Sequence, residues 1–234
     1  MLFHFSHRSL KPEILDDFEL QGNNLAENLK ELEWVNRYLG GYSQLGQALQ
    51  EVVEAQSNQK HWHVADIGCG GGDTLRYLAK KTAAWPQKFR LTGVDANAHA
   101  IAYAKSLSEG LNIGYQKAML SPELLKAMQA DVVLFNLFLH HFKDEEIIEF
   151  LSTCQKQGVK VIITDLERSK LAYFLFNMLT RIIKFSHISR HDGLLSIQKS
   201  FTQKDWAYLF HKSNYSRYTV KWRWAFRWVC CLNH

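Results

Sequence analysis

The chain has 234 residues, 47% hydrophobic and 22% charged, with a formal net charge of +5 at neutral pH. That balance excludes a disordered chain, a collagen-like repeat and a small disulfide scaffold, and the charge is too mild to argue by itself for a nucleic-acid partner. Cys69, Cys154, Cys230 and Cys231 show no CxxC pairing, which speaks against a zinc site and for a reduced, cytoplasmic protein.

At the N-terminus His4, His7 and Arg8 interrupt the apolar run that a signal peptide needs. Residues 1–60 read as a helical cap: Leu25, Leu29, Leu32, Val35 and Leu39 recur at helical spacing, and Gly40-Gly41 stops the run. From residue 61 onward short β-rich runs alternate with helical ones, which makes 61–234 a second unit. Strands are expected at 62–67, 89–94, 111–116, 132–135 and 159–164, with helices near 72–84, 97–108 and 144–157. Ser121-Pro122 opens a further short helix, with Ser as N-cap and Pro at the first helical position. This alternation argues for a parallel sheet covered on both faces, with a ligand at the strand C-termini.

After Asp165 the pattern changes. Residues 168–186 are helical and rich in Phe, Leu and Ile, 187–200 look like a loop, and together they form an insertion poised as a lid. The stretch from Leu171 to Phe185 is broken by Asn177, Thr180, Arg181 and Lys184, so no membrane span is expected. A helix near 202–213 and two strand-like pieces around 215–229 complete the chain. Trp222, Trp224, Phe226 and Trp228 alternate with Arg223 and Arg227. That suits a half-buried strand with its arginines outward, or an aromatic platform for single-stranded nucleic acid.

The glycine turn of the first strand carries the most information. In Asp66-Ile67-Gly68-Cys69-Gly70-Gly71-Gly72-Asp73 a dinucleotide fingerprint fails, because its third glycine is replaced by Asp73, and a P-loop fails for want of Gly-Lys-Ser/Thr. The spacing Asp66-x-Gly68-x-Gly70-x-Gly72 resembles motif I of the class I S-adenosylmethionine-dependent methyltransferases. Asp95 in Thr92-Gly93-Val94-Asp95-Ala96-Asn97 stands where that family places its ribose carboxylate, with Asn97 suited to cap the next helix. The family often has an acid after the third strand, but Gln116-Lys117-Ala118-Met119 has none, so backbone near Ala118 and Met119 is left to read the adenine. The segment from Asp131 to Phe142, with Asn136 and Leu137 at the strand end and His140 and His141 in the loop after it, resembles the family's fourth-strand motif.

The resemblance implies an α/β fold: a Rossmann-like seven-stranded class I methyltransferase sheet, last strand antiparallel, with an N-terminal helical cap and a helical lid insertion. It implies S-adenosylmethionine as cofactor and S-adenosylhomocysteine as product. The cofactor set would be Asp66, Gly68, Cys69, Gly70, Gly72, Asp95, Ala96, Ala118, Met119, Asn136 and Leu137. His141, or else His140, is the candidate base or acceptor-orienting group; the alternative is that both pack or cap the next helix. His187, Arg190 and His191 are candidates for a polar substrate rim, or for a solvated loop. The segments Leu166-Glu167-Arg168-Ser169 and Arg190-His191-Asp192-Gly193 resemble bacterial small-molecule methyltransferases, similar in general plan to quinone and polyketide enzymes. Metal-independent O-methylation of a small apolar acceptor is therefore expected. The alternatives are an RNA or protein methyltransferase and a non-catalytic cofactor-binding protein, and a homodimer is the partner that the apolar helix suggests.

Overall fold

The computed structural model describes residues 5–56 and 58–233; the part of the signal-peptide reading that falls on residues 1–4 lies outside them. Strand β1 (His61–Ile67) forms from a β-branched and aromatic run whose alternate side chains serve two cores. Ala65 and Ile67 point to one face of the sheet, Trp62 and Val64 to the other. The same division recurs in β4 (Val132–Asn136) and β5 (Lys160–Leu166), so their continuous apolar runs are strands buried on both sides. With β2 (Lys88–Asp95), β3 (Ile113–Lys117), β6 (Arg217–Arg223) and β7 (Arg227–Asn233) they form one seven-stranded sheet, ordered β3-β2-β1-β4-β5-β7-β6. The first five strands run parallel, and β7 is antiparallel to both β5 and β6.

One face is covered by α2 (Gly41–Glu54) and α3 (Asp73–Thr82), through Leu45, Leu49, Leu75 and Leu78. The other is covered by α5 (Pro122–Met128), α6 (Asp144–Lys156) and α9 (Gln203–Lys212), through Leu125, Leu151, Trp206 and Phe210. The expected caps are present. The Asn97 side chain accepts from His99 and Ala100 N–H to open α4 (Ala98–Leu107), and Ser121 Oγ accepts from Leu124 N–H. Over the strand C-termini lie α1 (Gly22–Tyr38), α7 (Lys170–Ile182) and α8 (His187–Lys199). The switch point faces α1, because order reverses between β1 and β4. Among the described residues no helix is long and apolar enough to cross a membrane.

Two expectations are corrected. Residues 187–200 are not a loop: 187–199 form α8, opened by Ser186 Oγ accepting from Ser189 N–H. Its Ser, Gly and Asp residues have low helix propensity, so tertiary bonds hold it. Asp192 accepts from the N–H groups of Ile14 and Leu15, and Asn28 donates to Ser189 Oγ. Gly193 leaves room for Phe176, whose ring would stand 2.4 Å from a Cβ there. The second correction concerns Trp222 to Trp228, which do not share one strand. They are a hairpin that pairs Trp222 with Trp228 and Arg223 with Arg227. Arg227 is consequently buried instead of facing water with Arg223.

Candidate active site

The glycine turn is pinned to the end of β2. Gly68 and Cys69 N–H donate to the Val94 carbonyl (2.8 and 3.0 Å), and Gly70 N–H donates to Asp95 Oδ2 (2.8 Å). Gly68 has φ +72°, and a Cβ there would lie 2.1 Å from the Phe138 ring, so only glycine brings the turn this close to the loop after β4. Asn136 lies at the end of β4, its side chain bonded to both Thr74 and Thr164. Leu137 follows in left-handed backbone with its N–H on the Thr164 carbonyl (2.8 Å).

A cavity of about 510 Å³ opens beside this turn. Asp66, Gly68, Cys69, Gly70, Asn136, Leu137, His140 and His141 line it, which gathers the greater part of the expected cofactor set with both candidate catalytic histidines. Asp95, Ala96, Ala118 and Met119 stand outside that lining. Asp95 Oδ1 accepts from Asn97 N–H (2.9 Å), and Ala118 N–H reaches the Asp95 carbonyl (3.0 Å). Gly72, with φ +71°, leads into α3. The rim residues fare differently. His187 and His191 are exposed, and Arg190 donates to the Asn177 side chain. Once 187–199 is helical, its inner face presents Ser189, Asp192, Gly193 and Ser196 to the cavity, and His187, Arg190 and His191 turn away from it.

Two charged groups in the lining are incompletely paired. Asp66 is buried, and its Oδ1 has no hydrogen-bond partner. Burial, then the charges of Asp73 and Asp95, pushes its carboxyl well above the usual range. Arg227 is buried beside the same cavity. Its Nη2 donates to Asn36 Oδ1 (3.2 Å), while Nε and Nη1 have no partner. Burial pushes Arg227 down to about 10. An unmet carboxylate oxygen and two unmet guanidinium N–H groups together suit a zwitterionic amino-acid group: ammonium at Asp66, carboxylate at Arg227. Such a group is the end of S-adenosylmethionine that motif I should hold, so these residues fit that cofactor.

The opposite part of the lining is apolar, with Leu29, Leu32 and Val35 from α1 and Leu175, Phe176, Leu179 and Ile182 from α7. Among the polar residues of the lining is the histidine pair. His140 is buried, its Nδ1 2.7 Å from Asp165 Oδ1. His141 is partly exposed, its Nδ1 2.7 Å from Asp16 Oδ1. Burial raises the Asp165 carboxyl, but the His140 charge and bond outweigh it and hold Asp165 below its usual range. Asp16 is likewise held low by His141 against its own burial. Both carboxylates are therefore acceptors, and each ring donates Nδ1–H to its own carboxylate. Glu13 joins them from the N-terminal segment, buried and bonded to Ser196 Oγ (3.0 Å) and Lys199 Nζ (3.3 Å). Sequence reasoning missed Glu13, Asp165 and Arg227; only Asp165 carried a usable signal, as an acid near the end of a predicted strand.

Residues 64–160 match the family model described as a methyltransferase domain. The chain is 31% identical over 142 residues to ubiquinone biosynthesis O-methyltransferase of Coxiella burnetii, covering 56% of this chain and 58% of that one. It is 29% identical over 157 residues to the protein of the same name from Colwellia psychrerythraea, covering 65% and 61%. (RS)-norcoclaurine 6-O-methyltransferase of Thalictrum flavum is 26% identical over 161 residues, covering 67% and 41%. The chain thus spans about three-fifths of the length of the two bacterial relatives. Among solved structures, the plantazolicin methyltransferase BpumL in complex with S-adenosylhomocysteine superposes with a TM-score of 0.61 at 16% identity, covering 91% of this chain and all of that one. Magnesium protoporphyrin IX methyltransferase from Synechocystis gives 0.53 at 15% identity, covering 86% and 87%; at these identities the likeness is one of fold. Residues 64–160 thus carry a methyltransferase domain, and the sheet order and the glycine turn agree with that match.

Proposed function

We propose that the protein transfers a methyl group from S-adenosylmethionine to an oxygen of a small, largely apolar acceptor such as a phenol or quinol. The observation that carries this reading is a single cavity that holds both the unmet groups of Asp66 and Arg227 and the apolar α1–α7 lining with its histidine pair. The names of the curated relatives support oxygen as the methylated atom. In the transfer, an oxygen lone pair forms the bond to the methyl carbon as the sulfur–methyl bond breaks. The electron pair stays on sulfur, and S-adenosylhomocysteine leaves as a neutral thioether. The protein's task is mostly alignment, plus removal of the hydroxyl proton at the polar end formed by Glu13, His140 and His141. Four buried free thiols support a reducing, cytoplasmic setting. Leu171 and Phe174, both exposed on α7, support a second copy of the chain as partner.

Calorimetric titration with S-adenosylhomocysteine tests the reading: binding at micromolar concentration or tighter is expected, and a folded protein that does not bind it would end the proposal. Turnover is then sought on phenols, quinols and hydroxylated aromatic acids.

Two variants test the cofactor residues. Arg227→Gln removes a bond between charged groups of about 1.5–3 kcal/mol, so affinity for S-adenosylhomocysteine should fall roughly ten- to a hundredfold. Methylthioadenosine, which lacks the amino-acid end, should bind both proteins alike; an equal loss for both ligands would mean that the variant has merely disturbed the fold. Asp95→Ala should weaken S-adenosylhomocysteine by more than tenfold, through the ribose and through the freed Gly70 N–H; unchanged affinity would remove Asp95 from the cofactor set.

A further inference from the structure

The histidine pair is built like a metal site. Nε2 of His140 lies 3.7 Å from Glu13 Oε1, and Nε2 of His141 lies 4.0 Å from Glu13 Oε2. One ligand atom from each of the three residues falls within 4.8 Å of the other two. Around a zinc-sized ion, with bonds of about 2.0–2.1 Å, tetrahedral neighbours stand roughly 3.4 Å apart, so three atoms lying within 4.8 Å of one another would have to close by up to about 1.4 Å. Two imidazoles and one carboxylate are a recurrent donor set for divalent transition ions.

A second observation is independent of the distances. Each ring has its remote nitrogen fixed by a carboxylate, Asp165 behind His140 and Asp16 behind His141, both at 2.7 Å. That is the outer arrangement which orients metal-bound histidines and raises their basicity. A lone general base needs one such ring. Here two rings, with centroids 4.3 Å apart, bring their Nε2 atoms to the same carboxylate. The carboxylates of Glu13, Asp16, Asp165 and Asp192 outnumber the nearby Lys199, 3.3 Å from Glu13 and 3.4 Å from Asp16. Arg8, close by, is engaged with Asp144 and with the carbonyls of His140 and Phe142.

We infer that Glu13, His140 and His141 form a binding site for a divalent first-row transition ion, with the acceptor's hydroxyl oxygen as a further ligand. The second clause rests on the methyl-transfer reading; the first does not. On such an ion the hydroxyl loses its proton to water near neutral pH, and the remaining oxygen lone pair attacks the methyl carbon.

The test is uptake of the metal alone. Chelator-treated full-length protein is titrated with Zn²⁺ by calorimetry and with Co²⁺ by visible absorption, and each sample is also titrated with S-adenosylhomocysteine. One equivalent of ion at micromolar Kd or tighter is expected, with the intense visible bands of four-coordinate cobalt. Glu13→Gln, close in shape, and His141→Ala, at the partly exposed ring, should each weaken uptake at least tenfold while product affinity stays within threefold. Lys199→Met should tighten uptake, because it removes a competing cation. No uptake, or uptake indifferent to Glu13→Gln and His141→Ala, in protein that binds S-adenosylhomocysteine normally would overturn the ion and leave the methyltransferase reading standing. Failure of S-adenosylhomocysteine to bind would instead overturn that reading and the hydroxyl's place on the ion, with the ion site judged by uptake.

Discussion

Asp66→Asn is expected to weaken cofactor binding strongly and to make the empty protein more stable. The two effects have opposite signs because one buried carboxylate causes both. In the unliganded protein Asp66 sits in the core with one oxygen unmet, and burial and its acidic neighbours raise its carboxyl well above the usual range. An amide of the same shape removes that cost. Each kcal/mol recovered moves the Tm of a domain of this size by about 2–4 °C. With ligand bound, the same carboxylate faces an ammonium. Truncating one partner of a buried charge pair costs about 2–5 kcal/mol, so affinity for S-adenosylhomocysteine should fall by roughly thirtyfold to several thousandfold. A thermal scan and a titration on one preparation check both; retained affinity would remove Asp66 from the ammonium's site. The pH dependence follows. A carboxyl whose folded pKa lies above its unfolded one costs stability as pH rises through that interval. The unliganded wild type should therefore lose Tm relative to Asp66→Asn on going from acid to neutral pH. Product affinity should climb over the same interval as the ionised form becomes available.

The second large effect is expected from Asp165→Asn, with kcat falling by roughly two to four orders of magnitude and product affinity unchanged within threefold. Asp165 touches no ligand in this reading; it positions His140. An ionised carboxylate can only accept, so it fixes a proton on Nδ1 and turns Nε2 toward Glu13. An amide can donate instead, and the ring then presents N–H where a lone pair is needed. Loss of a tautomer-fixing carboxylate in a buried site has effects of this size elsewhere. The split between kcat and cofactor affinity separates this from general damage, which would lower both. Asp165→Glu, which keeps the charge, should recover part of the rate, and a variant with full activity would show that the His140–Asp165 bond is only structural.

The sheet was legible because its physics is local. Val64 to Ile67 and Val132 to Phe135 are apolar runs of strand length, bounded by turns, and the glycines of 68–72 have no other economical explanation. Asn97 and Ser121 were legible for the same reason, since a cap acts within a few residues of itself. The acceptor side was not. Glu13 reaches His140 and Ser196 from far along the chain, and no spacing rule spans such a gap. α8 has weak propensity and is held from outside by residues 13–16, so its inward and outward faces could not be told apart until it was known to be a helix. Arg227 was misplaced by one turn: strict alternation through Trp224 to Phe226 puts it outward, whereas the hairpin resets the phase and buries it. The histidine pair was found, since it directly follows a strand end, but its partners come from β5, α8 and the N-terminal segment.

The short turn Ile14–Asp16, with Glu13 at its head, gives the site a rhythm. Asp192, Ser196 and Lys199 fasten it to α8, and Glu13 and Leu15 form part of the wall of the pocket. The turn is therefore both a wall of the pocket and part of the polar group behind it. If it swings outward to admit an acceptor, His140 loses Glu13 and His141 loses Asp16 in the same movement. Admission and reaction then belong to separate moments, and a cofactor waiting in an open pocket faces an incomplete set of groups, which protects its reactive methyl from being spent on water.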